Sequence, residues 1–301
     1  MLLCPGFSKP QKQVAQNEAS HGSVLVIGKE GIGRGEFVTP SGIAIDAKGE
    51  VYVTDVLNHR IQVFDSNGKF LRTFGTEGSE PGTFVDPEAI SIDKNGHIYV
   101  VEPEANRIQI FEPSGKFIGQ WNRPGSDRGE FYHPTGIAID AAGDIYIVDS
   151  GNDRIQKLSP AGETLAIFGE HGSDKGQFDV PRSITLSPEG NLYVSDTGNN
   201  RIQEFSPSGR FIATFGQTGF RPGDFDAPSG ISVDLQGNIF VVDTGNNRVE
   251  VFNPQGKLIK VWGEEGNGVG KLKHPTGVAV GEGKETFVVD TGNNRVQRFP
   301  L

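Results

Sequence analysis

Apolar residues occur in short alternating stretches, and polar or glycine-containing breaks separate them. Gly42-Ile43-Ala44-Ile45-Asp46 alternates and runs into the turn residues Ala47-Lys48-Gly49. Val51-Tyr52-Val53-Thr54-Asp55 is rich in β-formers. After a polar break come Arg60-Ile61-Gln62-Val63-Phe64, the turn Ser66-Asn67-Gly68, and Phe70-Leu71-Arg72-Thr73-Phe74. A period of two with Gly, Asn and Asp punctuation predicts four strands of about five residues each. No stretch carries a helical period. The longest apolar runs, such as Val24-Leu25-Val26-Ile27, fall far short of the ~20 residues that cross a bilayer.

This four-strand pattern repeats. Arg60, Arg107, Arg154, Arg201, Arg248 and Arg295 each open an Arg-Ile/Val-Gln/Glu triplet, and each lies 47 residues after the last. Pro40, Pro87, Pro134, Pro181, Pro228 and Pro275 keep the same step, as do Phe37, Phe84, Phe131, Phe178 and Phe225, with Leu272 sixth. The six units run from Ser20 to the last residue without insertion or deletion. Four strands per unit of this length are a propeller blade. The sixth unit stops after its third strand, at Val296-Gln297-Arg298-Phe299. Counting back one repeat from Phe74-Gly75 leads to Ile27-Gly28, so the N-terminal strand is expected to complete the last blade and remove a free edge. The expected fold is all-β: a closed six-bladed β-propeller of four-stranded antiparallel blades over residues 20–301, with residues 1–19 a disordered leader.

Composition narrows the chemistry. Glycine is 42 of 301 residues, about twice the usual ~7%, as a fold made of turns requires. The single cysteine, Cys4, excludes an internal disulfide framework, a thiolate zinc module and a RING. Net charge is −10, and both sets of loops, one at each end of the strands, are acidic in sum. That places a polyphosphate partner at a disadvantage. The first residues show no signal peptide, so the cytoplasm is the default compartment and secretion the alternative.

Asn58-His59-Arg60-Ile61-Gln62-Val63-Phe64, following Pro40-Ser41-Gly42-Ile43-Ala44-Ile45-Asp46, resembles the NHL repeat, and the resemblance extends over all six units. It implies the propeller fold and says little about function. Three uses are known among such propellers. One is a scaffold that binds protein or peptide. Another is RNA binding, as in some tripartite-motif proteins, through a basic face. The last is metal-dependent lyase or hydrolase chemistry. The resemblance to the amidating lyase, a zinc enzyme, implies histidines just after the repeated proline in three blades. Here that position reads Ser41, Glu88, Thr135, Arg182, Ser229 and Thr276, with no histidine. A non-catalytic scaffold for a protein or peptide is therefore the expected function, with RNA binding or the metal enzyme as alternatives. A monomer without membrane or nucleic-acid partners is expected. No cofactor is expected either, although calcium or zinc in the central channel stays open.

The repeated Asp-x-x-x-x-Arg spacing, for example Asp196 to Arg201, reads as a staple, since a carboxylate there can accept the guanidinium. Functional residues are expected where one unit departs from its siblings. Glu88 and Arg182 are the charged members of their position. His133 and His274 precede the proline in opposite blades. Unit five carries Gly219-Phe220-Arg221-Pro222 where other units have Ser or Asn. Glu88, Arg182, His133, His274, Phe220 and Arg221 are the predicted ligand-binding residues, converging on one mouth of the channel. His21, His59, His97 and His171 share no common position and are assigned no role.

Overall fold

The computed structural model describes residues 23–281 and 285–300; the expected leader at 1–19 lies outside the described residues. Six four-stranded antiparallel sheets form. In blade one the strands, from inner to outer, are Pro40–Ile45, Val51–Asp55, Arg60–Phe64 and Phe70–Phe74. Blade six consists of Gly277–Val280, Thr286–Asp290, Arg295–Phe299 and, as its outer strand, Leu25–Ile27. The last pairing is antiparallel, with Leu25 opposite Arg298, Val26 opposite Gln297 and Ile27 opposite Val296. The ring is thus closed by the N-terminal strand, as expected. Helix among the described residues is confined to three short 3-10 turns, Val56–Asn58, Ser150–Asn152 and Thr291–Asn293.

Burial follows strand position. The second strand of each blade is buried at all five residues. It lies between two hydrogen-bonded neighbours, and the adjacent blades cover both its faces, so alternation of burial disappears there. Phe37, Phe84, Phe131, Phe178, Phe225 and Leu272 are also buried, at the junctions between blades. Phe37 packs on Phe64 with ring centroids 5.7 Å apart. Gly28 makes room for it: its φ is 84°, and a Cβ there would lie 2.4 Å from the Phe37 ring. Burying six such side chains contributes roughly 1.5–3 kcal/mol each. The inner strands surround a channel of about 360 Å³. They approach closely enough that a Cβ on Gly42 would sit 2.3 Å from the carbonyl oxygen of Glu88.

The arginine staple is present in all six blades. In blade one Arg60 Nε donates to Asp55 Oδ2 at 2.8 Å, Nη1 to the Ile32 carbonyl at 2.9 Å, and Nη2 to the carbonyls of Gly33 and Glu36. Gln62 Nε2 donates to the same Glu36 carbonyl and to Asp55 Oδ2. Asp55 Oδ1 accepts the Val38 N–H. The carboxylates Asp55, Glu102, Asp149, Asp196, Asp243 and Asp290 are fully buried. A buried carboxylate is tolerated because donors surround it; at Asp55 each oxygen accepts at least two hydrogen bonds. Each staple pins the inter-blade loop onto the third strand of the blade that follows it.

Candidate functional site

The inter-blade loops and the loops between second and third strands emerge on one face, here the upper face. Its centre is the channel mouth, where Ser41, Glu88, Thr135, Arg182, Ser229 and Thr276 form a ring. Three of the four hydroxyls of this ring, all but that of Ser41, are already committed. Thr135 Oγ1 donates to the Pro181 carbonyl at 3.1 Å, Ser229 Oγ to the Thr276 carbonyl at 3.0 Å, and Thr276 Oγ1 to the Ser41 carbonyl at 3.0 Å. Each ties one inner strand to the next. Glu88 and Arg182 differ: neither side chain has a hydrogen-bond or ion-pair partner among the described residues. Burial raises the Glu88 carboxyl above its ordinary range, while the positive charges of Arg182 and His133 pull it down.

The other predicted residues lie elsewhere on this face. His133 and His274 are exposed in left-handed backbone with φ of 50° and 43°, and neither lines the channel. His133 Nε2 pairs with Glu104 Oε1 at 3.4 Å. Phe220 and Arg221 do not reach the channel mouth. Their carbonyls accept Arg248 Nη1 and Nη2, both at 2.8 Å, so the staple folds their loop over the third strand of blade five, in the outer part of the face. The Phe220 side chain is left 78% exposed, and blade one presents Ile32 at the same place, 81% exposed. Only Glu88 and Arg182 of the six predicted residues share one cavity.

Blade two is the irregular one, and the cause is traceable. In five seams a side-chain oxygen of the preceding blade accepts the N–H of the residue before the repeated proline. Asn294 serves Thr39, Asn106 serves His133, Asp153 serves Val180, Asn200 serves Ala227 and Asn247 serves His274, all at 2.7–2.8 Å. Those five served residues have positive φ. In the seam into blade two the serving position is His59, whose ring carries no carbonyl oxygen. Its Nδ1 lies 2.7 Å from the Val85 carbonyl, an acceptor, so Nδ1 carries the proton. Asp86 is not among the residues of positive φ. In the other blades the carbonyl equivalent to that of Val85 accepts a backbone N–H, as Asp179 does from Gly198 at 2.8 Å. With Val85 turned to His59, the Glu104 N–H donates to Asp86 Oδ2 at 2.8 Å instead. Asp86 Oδ1 is then buried with no partner. Burial pushes the Asp86 carboxyl up to about 7, opposed by the Glu104 N–H and reinforced by Glu88, Glu102 and Glu104. Asp86 and Glu104 are not among the predicted residues.

Apolar exposure distinguishes the two faces. Ile32, Leu57, Val85, Tyr132, Val180, Phe220 and Val269 are exposed on the upper face; on the lower face, among the described residues, Leu235 alone is. The remaining exposed large apolar residues, such as Leu71 and Ile118, lie on the outermost strands. No described helix is long and apolar enough to cross a membrane.

The model of the NHL repeat matches residues 37–64, 131–158, 178–205, 225–252 and 272–299, in blades one, three, four, five and six. Protein lin-41 of Caenorhabditis elegans is 47% identical over 53 residues, covering 18% of this chain and 5% of the relative. Protein brain tumor of Drosophila melanogaster is 35% identical over 69 residues, covering 23% of this chain and 6% of the relative. The matches thus span only about a twentieth of these relatives' lengths. Among solved structures, a streptogramin B lyase superposes with a TM-score of 0.64 at 20% identity, over 92% of this chain and 87% of its own. A putative gluconolactonase gives 0.67 at 18% identity, over 93% and 92%. At these identities the likeness is one of fold.

Proposed function

Because the chain is a propeller built of NHL repeats, we propose that it is a non-catalytic binding module whose upper face takes a protein or peptide. The observation that carries this reading is the uneven apolar exposure: among the described residues, seven large apolar side chains stand on the upper face against one on the lower. Exposed apolar side chains grouped on one face and rimmed by charge mark a protein-binding surface. Phe220 and Ile32 serve as outer anchors, and Glu88 with Arg182 offers unpartnered charge of both signs at the centre. The acidic surroundings favour a ligand with basic groups.

A peptide library selected on the full chain tests this. Peptides enriched in basic and apolar residues are expected. Phe220→Ala and Glu88→Lys should each weaken them by ~1–3 kcal/mol, while Leu235→Ala on the lower face should not. Association should slow as salt is raised. Peptide binding insensitive to every upper-face change, or micromolar binding of single-stranded RNA through this face at physiological salt, overturns the reading.

A further inference from the structure

The seam between blades three and four carries a different departure, independent of the channel. Asp153 ends the Ser150–Asn152 turn in left-handed backbone. Its Oδ1 does the regular work of the seam, accepting the Val180 N–H at 2.8 Å. An asparagine at this place has only that one oxygen. Asp153 has a second, and Oδ2 lies 2.9 Å from His171 Nδ1. Asp179, from the same inter-blade loop as His171, brings a third donor. One ligand atom from each of Asp153, His171 and Asp179 falls within 4.8 Å of the others.

The repeat supplies internal controls. In the next seam the same three positions are Asn200, Thr218 and Asp226, and Asn200 Nδ2 donates to Thr218 Oγ1 at 3.1 Å. A neutral amide–hydroxyl hydrogen bond therefore suffices to hold this part of the loop. In the other four seams the third position is Val38, Val85, Tyr132 or Lys273, none of which offers a carboxylate. Only the seam into blade four combines two carboxylates with an imidazole.

The geometry points to a surface site for a borderline divalent metal ion of the zinc type, held by Asp153, His171 and Asp179. Tetrahedral bonds of ~2.1 Å place neighbouring ligand atoms about 3.4 Å apart, so an ion replacing the His171 Nδ1–H proton would need Asp153 Oδ2 and His171 Nδ1, now hydrogen-bonded at 2.9 Å, to part by only about half an ångström. The imidazole selects zinc-like ions over magnesium or calcium. The His171 side chain is 75% exposed, so water has room to complete the coordination sphere. Bound there, the ion joins the end of the blade-three turn to the loop that leads into blade four and stabilises the fold by mass action.

The test is calorimetric titration of the full, chelator-treated chain with Zn²⁺ alone, paired with thermal melts. One ion per chain in the micromolar range and a raised Tm are expected. His171→Ala and Asp179→Asn should each weaken binding by at least about tenfold, while Asp226→Asn in the sibling seam leaves it unchanged. The double change Asn200→Asp and Thr218→His should raise the stoichiometry to two. The inference fails if the wild-type chain takes up no ion, or if folded His171→Ala protein, verified by circular dichroism, binds zinc as the wild type does.

Discussion

The seam into blade five and the seam into blade two are built on the same frame and end differently. At the first, Asn200 accepts the Ala227 N–H, and the Asp226 carbonyl accepts the Gly245 N–H. No buried side-chain polar atom of that corner is left without a partner. At the second, His59 takes the place of the asparagine, its Nδ1–H captures the Val85 carbonyl, and Asp86 must supply the missing acceptor from its side chain. One carboxylate oxygen is left over. A repeat protein can thus make a distinctive surface without an insertion. Exchanging one side chain reroutes the hydrogen bonds and leaves a carboxylate oxygen without a partner. Buried polar groups are usually all paired, so an orphan in a sixfold lattice stands out against five satisfied copies.

The largest disturbance removes a seam entirely. Deleting residues 1–28 takes away Leu25–Ile27, leaving blade six three-stranded with an open edge. Loss of the cooperative melting transition and aggregation are expected, whereas deleting residues 1–18 should leave Tm unchanged. If the longer deletion melts like the full chain, the seams hold without closure and their hydrogen bonding matters less than the comparison implies.

Next come the staples that every seam shares. Arg107 in blade two is 2% exposed and pairs with Glu102, a longer carboxylate than the aspartates of the other blades. Arg107→Ala should cost ~3–5 kcal/mol, because it strands a fully buried charge. Arg201, at 14% side-chain exposure, admits some water, and Arg201→Ala should cost ~1–3 kcal/mol. Urea melts measure both. Equal costs would show that the irregular seam is no more dependent on its staple than a regular one.

Much of this frame is readable in the sequence, and the limit is physical. A fixed step between identical residues reports blade number, strand order and closure, because each unit must build the same object. The Asp–Arg staple is readable for the same reason. What the repeat does not encode is the route of a loop. Phe220 lies eight residues before the inner strand of its blade, yet three carbonyls held by Arg248 carry its loop out over the third strand. His171 matches no other histidine by position, since its partner Asp153 stands 18 residues away. Reading each repeat position by itself misses a cluster assembled from three positions. The turned peptide at Asp86 depends on whether a neighbouring ring donates or accepts a proton, which residue identity hints at and geometry decides.

Blade five offers a substitution of comparable kind in the staple itself. Glu250 occupies the place of Gln62, Gln109, Gln156, Gln203 and Gln297. It accepts the Gly223 N–H and pairs with Arg248 Nη2 at 3.0 Å, but when ionised it cannot donate to Asp243 as the glutamines donate to their aspartates. Burial pushes its carboxyl up to about 7. The folded state thus prefers the protonated acid, so stability is highest below the unfolded pKa near 4.5 and falls as pH rises towards 7. Glu250→Gln should therefore stabilise the protein by ~1–3 kcal/mol at pH 8 and change little at pH 4. A gain independent of pH would assign the effect to packing rather than to charge.

The smallest and most direct test exchanges the residue on which the comparison turns. His59→Asn supplies the amide oxygen that the other seams possess. The Asp86 N–H then has its regular acceptor, and Val85 is free to accept the Glu104 N–H. The Asp86 carboxylate is released from its structural duty and swings towards water. Its titration midpoint, followed by NMR of the side-chain carboxyl carbon, should fall from about 7 towards the ordinary aspartate range. The sign for stability follows. In the wild type the raised pKa withdraws stability as pH climbs from the unfolded value of 3.8 through 7. The variant should accordingly gain on the wild type above pH 7 and not below pH 4. The group is open enough to solvent that the gain is held to ~0.5–1 kcal/mol. An unchanged Asp86 midpoint in folded His59→Asn protein would mean that the loop carrying Glu104, not the histidine, holds the seam in its altered path.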